Sequence, residues 1–369
     1  MNARPILSRR VILTTSVGVT ISSCFASGKS EAHTGIAALD TPAIAVRYPN
    51  DIFLVAVTRA GRRIVACGEQ GIIIYSDDNG RTWTQASVPV TVLITCVAFV
   101  TPTLGWAAGN FGVILNTVDG GQTWQTQLNG LQANQLTLEA AQAAVAHNSD
   151  VPGMAFAMRR ATAFVQGGPN RPFLTMLAFS TQKVMVFGAY RLTMLTTDGG
   201  KTWVDWSLHV YDNLSHDLYD ATIVGQQIYV VGEAGLVFRS ADDGESFLPV
   251  APTSDATLFG VLGAQDGSVI VFGVAGTCLR STDGGNSWTV VDLGTQDGMT
   301  AGRVLEQGVI VLASENGGLF VSKNHGLTFD AISAPNPRSI FDIEEVADDK
   351  FIVVGDTGVD LWSNRILNG

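Results

Sequence analysis

Apolar runs broken by paired glycines recur along this chain. Val, Ile and Phe bracket a G-x-x-G step in IVACGEQGIIIYS (64–76), GWAAGNFGVILNT (105–117), IYVVGEAGLVFRS (228–240), VIVFGVAGTCLRS (269–281) and FIVVGDTGVDLWS (351–363). Such a pattern predicts a strand, a tight two-residue turn and a second strand. A further strand precedes each pair, as at 52–57, 93–100, 218–224 and 339–346, and a fourth follows most of them, as at 84–88 and 289–293.

A polar box closes each unit. It reads SDDNGRTW from Ser76, TVDGGQTW from Thr117, TTDGGKTW from Thr196, SADDGESF from Ser240, STDGGNSW from Ser281 and SKNHGLTF from Ser322. A seventh start, Ser363-Asn364-Arg365, stands where the next box is due. The first positions are 41, 79, 44, 41, 41 and 41 residues apart. A period of that size marks a solenoid or a propeller, and four antiparallel strands per repeat select the propeller. The expected fold is therefore all-β, a seven-bladed β-propeller over residues 41–366.

The box has a mechanical role on the turn between third and fourth strands. Asp78, Asp119, Asp198, Asp242 and Asp283, with Asn324 in the last copy, can accept turn N–H groups. Glycine at the fifth position allows positive φ, and the Trp or Phe at the eighth supplies packing area. One or two carboxylates on a hairpin are not the oxygen-rich loop calcium requires, so no metal is assigned.

Two irregularities remain. The last blade has no sequence left for a fourth strand, and an open edge invites aggregation. Residues 41–48 (TPAIAVRY) have strand character and are expected to fill that edge. The interval of 79 places an extra segment at 128–172 between blades two and three. There 134–148 is Ala/Gln/Leu-rich, with Leu136, Ala140, Ala143 and Ala144 at helical spacing, and 151–168 forms a second helical pattern ending in Gly167-Gly168. A helical insertion is expected.

Composition adds the surroundings. Hydrophobic residues make up 46% and charged residues 15%, and the net charge is −11. That acidity opposes a nucleic-acid partner, which needs a basic footprint. Residues 1–23 read as a signal peptide: Arg4, Arg9 and Arg10 precede an apolar run too short to span a bilayer. Ser8-Arg9-Arg10 resembles a twin-arginine signal. Ile21-Ser22-Ser23-Cys24 resembles a lipobox, with Cys24 as the acylated residue; ordinary cleavage near Ala26 or later is the competing reading. Residues 24–40 are the linker. The expectation is an exported chain, periplasmic or lipid-anchored. Cys67, Cys96 and Cys278 sit in strand patterns as small hydrophobes, with a Cys67–Cys96 disulfide as the alternative.

The boxes, the G-x-x-G pairs and their period resemble the Asp-box (BNR) seven-bladed propellers, and more closely the photosystem II stability/assembly factor family and its relatives in non-photosynthetic bacteria. The resemblance runs from about Ile44 to Ser363 and is most specific at 112–124. It implies a non-catalytic, monomeric scaffold, without cofactor, that helps assemble or stabilise a membrane complex. Photosynthetic members use an arginine-rich surface for partner binding. Here Arg62, Arg63, Arg159, Arg160, Arg171 and Arg191 are scattered in sequence and the charge is acidic, which departs from that pattern.

Candidate partner contacts lie on the face opposite the boxes, formed by the G-x-x-G turns and the blade-to-blade connections. They are Glu69, Phe111, Tyr190, Arg191, Glu233 and Asp356 on the turns and His216 on the polar connection 209–220. Met154, Phe156, Arg159 and Arg160 are added from the insert, read either as a binding element or as a packed lid. The alternative reading is a carbohydrate-active or carbohydrate-binding propeller. Against it, sialidases need three substrate-clamping arginines, and the turn acids Glu69, Glu233, Glu315 and Asp356 provide a glycosidase pair only by chance. No catalytic residue is assigned.

Overall fold

A computed structural model describes residues 36–147, 153–211, 214–250, 254–346 and 350–368. The signal peptide, Cys24 and most of the linker lie outside the described residues. Seven antiparallel sheets follow one another along the chain. Six have four strands in sequence order, and the last has three, Ile340–Val346, Lys350–Gly355 and Gly358–Ser363. The first strands of successive sheets pack side by side around the molecule, and Leu54–Ala60 meets Ile340–Val346 to close the circle. The fold is a seven-bladed β-propeller, with its cores between neighbouring blades.

Every inner strand carries a bulge near its start. The register skips Val55, Thr95, Leu174, Tyr219, Phe259, Thr300 and Phe341 in blades one to seven. A bulge leaves one residue unpaired and re-aims its side chain. All seven are buried. Several staples cross to the next blade at this level. Thr95 Oγ1 donates to Phe173 O at 2.7 Å and Thr300 Oγ1 to Ile340 O at 2.6 Å. Asp220 Oδ2 accepts Val261 N–H at 3.0 Å, and Asp342 Oδ2 accepts Val57 N–H at 2.9 Å. Below this layer lies a central cavity of about 260 Å³ lined by all seven inner strands. Burial declines along most inner strands toward the box end.

The closing-strand expectation for residues 41–48 is corrected. That segment forms no strand and does not complete blade seven. It lies along the outer edge of blade one, where Ala43 N–H donates to Val88 O at 3.0 Å and Val46 N–H to Gln85 Oε1 at 2.9 Å. Blade one's fourth strand is only Thr84–Gln85, so its edge is open to the incoming chain. Pro42 and Pro49 lack the N–H groups a regular ladder needs. The strap reaches blade seven where Asn50 O accepts Val359 N–H at 2.8 Å. Val46 and Ile52 then pack into the seam against Ile352 and Val354.

Two helices, Gly130–His147 and Met154–Gly167, stand between strand Gln125–Leu128 of blade two and strand Phe173–Ala178 of blade three. Asn129 caps the first: its Oδ1 accepts Leu131 and Gln132 N–H at 3.1 Å, while Gln132 Oε1 accepts Asn129 N–H at 3.0 Å. This reciprocal pairing satisfies donors that a helix start leaves orphaned. Its buried face is Ala133, Asn134, Thr137 and Ala141, one step round from the face expected from Leu136, Ala140, Ala143 and Ala144. Polar tethers choose the face. Asn134 Nδ2 donates to Phe164 O and Gly168 O, both at 2.9 Å, and Thr137 Oγ1 donates to Asp205 Oδ2 at 2.6 Å.

Candidate functional site

The two ends of a blade are built differently. At the box end the first-position hydroxyl and the third-position carboxylate make one repeated network. Thr117 Oγ1 donates to Asp119 Oδ1 at 2.8 Å and accepts Gly121 N–H at 3.0 Å. Asp119 Oδ1 then accepts Gln122 and Thr123 N–H at 2.9 and 3.0 Å, and Oδ2 accepts Thr123 Oγ1 at 2.6 Å. Asp78, Asp198, Asp242 and Asp283 repeat it, with Asn324 in the sixth box. The hydroxyl donors at Thr82, Ser246 and their equivalents hold these carboxylates down to about 2 for Asp78, Asp198, Asp242 and Asp283. The eighth-position aromatic packs on the preceding blade, as Trp124 does among Val65, Val88 and Phe99.

The G-x-x-G end uses type I′ turns in blades one to five, while in blades six and seven only Gly317 and Gly358 take positive φ. In blade one Ile72 N–H donates to Glu69 O at 2.9 Å, with Gln70 at φ 54° and Gly71 at φ 73°. That turn needs φ > 0 at both central residues. Space demands glycine as well: a Cβ on Gly71 would run into Val90 O of the connection to blade two. Gly235 and Gly276 meet Ser254 O and Thr295 O in the same way.

Blade three departs from this rule. Its turn holds Tyr190 at φ 54° and Arg191 at φ 61°, where the other type I′ turns have glycine second. Two non-glycine residues in the left-handed region cost about 1–3 kcal/mol each. Arg191 is buried and donates from Nη1 to Val210 O at 3.1 Å. Tyr190 N–H donates to Asp217 Oδ1 at 2.8 Å, so the turn grips both ends of the following connection.

The second insert helix docks on this turn. Arg160 Nη1 donates to Tyr190 O at 2.9 Å. Arg160 and Arg171 both lie over the Phe164 ring, at 5.2 and 4.0 Å, and Tyr190 meets that ring edge-on at 6.3 Å. Arg171 also donates to Gly168 O at 2.9 Å and Phe164 O at 3.3 Å, capping the helix C-terminus. Cations favour that end of a helix dipole. Burial holds the Arg171 guanidinium below its ordinary value, opposed by Tyr190 and aided by Arg160. Tyr190 itself is 54% exposed.

The structure thus brings Arg160, Tyr190, Arg191 and Glu233 into one linked cluster. Glu233 Oε2 accepts Asp217 N–H at 3.1 Å, a tie repeated in blade six by Glu315 Oε1 and Gly298 N–H at 3.0 Å. These turn acids hold connections. His216, half-buried, precedes Asp217 in the same connection. Glu69 and Asp356 sit on the turns of blades one and seven, away from the cluster, whereas the blade-two turn that carries Phe111 lies against the start of the first insert helix, where a Cβ on Gly130 would run into Phe111 O. Met154 and Phe156 are half-buried on the second helix and Arg159 is exposed there. Phe164, Arg171 and Asp217 belong to the cluster without standing among the expected contacts. The Arg171-Pro172 step just before a strand was the available signal for one of them. Among the described residues no group of His, Cys, Asp and Glu is placed to hold a metal. Cys67 and Cys278 are buried free thiols, burial pushing Cys278 up to about 12 and Cys67 well up, which suits packing rather than chemistry. Cys96 is also a free thiol, so the alternative disulfide is not formed.

Comparison with known proteins follows this geometry. A family model described as photosynthesis system II assembly factor YCF48 matches residues 81–148 and 170–253, skipping part of the insert. A BNR/Asp-box repeat model matches residues 74–85. A curated relative, the photosystem II assembly lipoprotein Ycf48 of Synechococcus sp. (strain CC9902), is 30% identical over 105 residues. That match spans 27% of this chain and 31% of the relative. Among solved structures, YCF48 bound to D1 peptide has a TM-score of 0.62 at 17% identity, covering 85% of this chain and 93% of that one. YCF48 from Cyanidioschyzon merolae has a TM-score of 0.62 at 13% identity, with 86% and 97% covered. A GH74 xyloglucanase from Xanthomonas campestris reaches 0.59 at 13% identity, covering 84% of this chain and 52% of that one. At these identities the solved structures show the fold alone.

Proposed function

For a chain that is photosystem II assembly factor-like, an Asp-box propeller, we propose a non-catalytic scaffold that binds a membrane-associated protein and supports assembly or stability of its complex. The binding face is the G-x-x-G end, centred on the blade-three turn and the helix docked against it. One observation carries this reading: among the described residues only that turn combines two strained non-glycine residues, an exposed tyrosine and a dedicated helical support. Strain of this kind gathers at ligand clamps, and tyrosine and arginine dominate binding hot spots. The solved YCF48 whose title names a bound D1 peptide supports a membrane-protein segment as the class of ligand.

A non-catalytic role agrees with the ties of Glu233 and Glu315 to backbone N–H groups, which leave these acids structural work. Export follows from the N-terminal signal pattern, and anchoring through Cys24 from the relative named a lipoprotein. No helix among the described residues is long and apolar enough to cross a membrane. The chain acts as a monomer in this reading.

Affinity capture from detergent-solubilised host membranes tests it. Wild type, a variant with residues 130–167 replaced by a short linker, and Tyr190→Ala are compared. Membrane proteins enriched by wild type and lost from both variants support the reading. Equal recovery by the deletion variant removes the insert from it, and no enrichment by wild type removes the function. Glycoside turnover abolished by Glu233→Gln would replace it with the carbohydrate-active alternative.

A further inference from the structure

The seams of the ring are not held alike at the box end. In five of them a side chain of one blade donates to the fourth-position carbonyl of the next blade's box. Arg63 Nη1 reaches Gly120 O at 3.2 Å, Gln127 Nε2 reaches Gly199 O at 3.2 Å and Lys183 Nζ reaches Asp243 O at 2.7 Å. Arg239 Nη1 and Arg280 Nε continue the series on Gly284 O at 2.6 Å and His325 O at 2.9 Å. Between blades six and seven the tie is different. There Glu306 N–H donates to Glu345 Oε2 at 2.6 Å, and Arg303 grips Glu344 through both carboxylate oxygens.

The seam from blade seven to box one breaks the series. Its acceptor is Asn79 O, and among the described residues no donor meets it. Lys350 stands in the donor's place, five residues before the first glycine of its turn, as Arg63 and Lys183 do. It is half-buried and makes no hydrogen bond or ion pair among the described residues. Two other seams add a backbone tie, where Trp124 N–H donates to Ser87 O at 3.0 Å and Phe247 N–H to His209 O at 2.8 Å. Both acceptors follow a fourth strand, which blade seven does not have among the described residues. Trp83 of box one is accordingly half-buried, as is Phe329 of the sixth box, whereas Trp124, Trp203, Phe247 and Trp288 are buried. The ties that do cross this seam lie at its G-x-x-G end: Asp342 on Val57 N–H, Asn50 O on Val359 N–H, and the Phe53 and Phe341 rings at 5.2 Å. The box end keeps the packing of Gly80 on Ile352 and the exposed Arg59–Glu306 pair at 3.9 Å.

We infer that the ring opens as a wedge at the box end of the seam between blades seven and one, hinged at the G-x-x-G end, because the latch that crosses five other seams is not made there. A bond from a cation or amide to a carbonyl adds to every opening that must break it, and the charged ones add most. The chain itself joins each of the other six pairs of neighbouring blades, whereas blades seven and one stand at opposite ends of the array. Local opening is drawn from the least-held contacts of a fold. Here it uncovers Ile352 and Leu361 beside Trp83 while every blade keeps its own sheet.

Amide hydrogen exchange tests this on the wild-type chain. Gly80, Gly121, Gly200, Gly244, Gly285 and Gly326 each donate N–H to the first hydroxyl of their own box, so one kind of bond reports on six seams. After correction for intrinsic rates, Gly80 should exchange about tenfold or more faster than each of the other five. Arg63→Ala should raise Gly121 toward the rate of Gly80, and Lys350→Ala should leave Gly80 unchanged. Thiol labelling gives a second reading. Ile352→Cys and Val65→Cys place a thiol at the third residue of the second strand in blades seven and one, both at buried positions. The first should be labelled about tenfold or more faster. Gly80 exchanging no faster than the other five, Gly121 unmoved by Arg63→Ala, Gly80 accelerated by Lys350→Ala, or equal labelling of the two thiols each overturns the inference. The wild-type comparison decides alone should a variant not fold.

Discussion

The box turns and the G-x-x-G turns are the two ends of the same blades, and their sequences obey opposite rules. At the box end one network is repeated from Asp78 to Asn324 with nearly unchanged distances. At the other end blades one to five share the I′ turn while the side chains change and blade three gives up its glycine for Arg191, whereas in blades six and seven only Gly317 and Gly358 take positive φ. Repetition marks what every blade needs in order to stand. Divergence marks where one blade does something the others do not. A motif repeated this often invites assignment as the active centre, and the structure places it in the scaffold.

Substitutions can break this contrast, beginning with the largest effect. Trp124→Ala removes a buried box aromatic from the interface between blades one and two and should cost about 3–5 kcal/mol in urea unfolding. Gly71→Ala should come close behind, at several kcal/mol by order of magnitude: its φ of 73° disfavours a side chain and its Cβ meets Val90 O. Equal tolerance at Gly71 and at Arg191 would erase the distinction between ordinary turns and that of blade three. Asp119→Ala leaves two hydroxyls and two turn amides without their acceptor and should cost about 1–3 kcal/mol.

Acid titration sharpens the box end. Asp78 and Asp242 sit near about 2 when folded, below the ordinary 3.8. Their contribution is present above about 4 and is lost as pH falls toward 2. Unfolding midpoints measured at pH 5, 3 and 2 should therefore drop in that order, and a flat profile would mean the carboxylates are not held by the turns. The smallest effect on stability is expected from Tyr190→Ala, under about 1 kcal/mol for an exposed ring. That substitution should instead weaken partner capture, and a variant as competent as wild type would return blade three to the ordinary set.

Much of this was legible beforehand because the physics is local. The S/T-x-D-x-G-x-S/T-W/F box closes its bonds within eight residues, so its spacing counts the blades. The I′ turn needs only its own two dihedrals, so G-x-x-G finds it in blades one, two, four and five, while Gly355-Asp356-Thr357-Gly358 turns differently and blade three makes the turn with Tyr190 and Arg191. The insert announces itself as a lengthened interval followed by Ala-rich helical spacing. Other features depend on partners far away in sequence. Arg171 stacks on Phe164 and Tyr190 only after two helices and a strand are in place. The buried face of the first helix is selected by Asp205 and Phe164, which hydropathy does not register. Residues 41–48 looked like a strand for blade seven and became a strap on blade one, because strand character does not say which edge is nearest.

The sequence by itself determined the repeat, the number of blades, and the glycine and aromatic positions each must carry. These follow from short-range rules of turn geometry and alternation. The tertiary structure alone decided how the ring closes, through Asp342 on Val57 and the strap at Asn50. It alone gathered Arg160, Arg171, Tyr190 and Arg191 around one turn. Those choices rest on burial and charge contributed by blades distant in the chain, and only closing the circle brings them together.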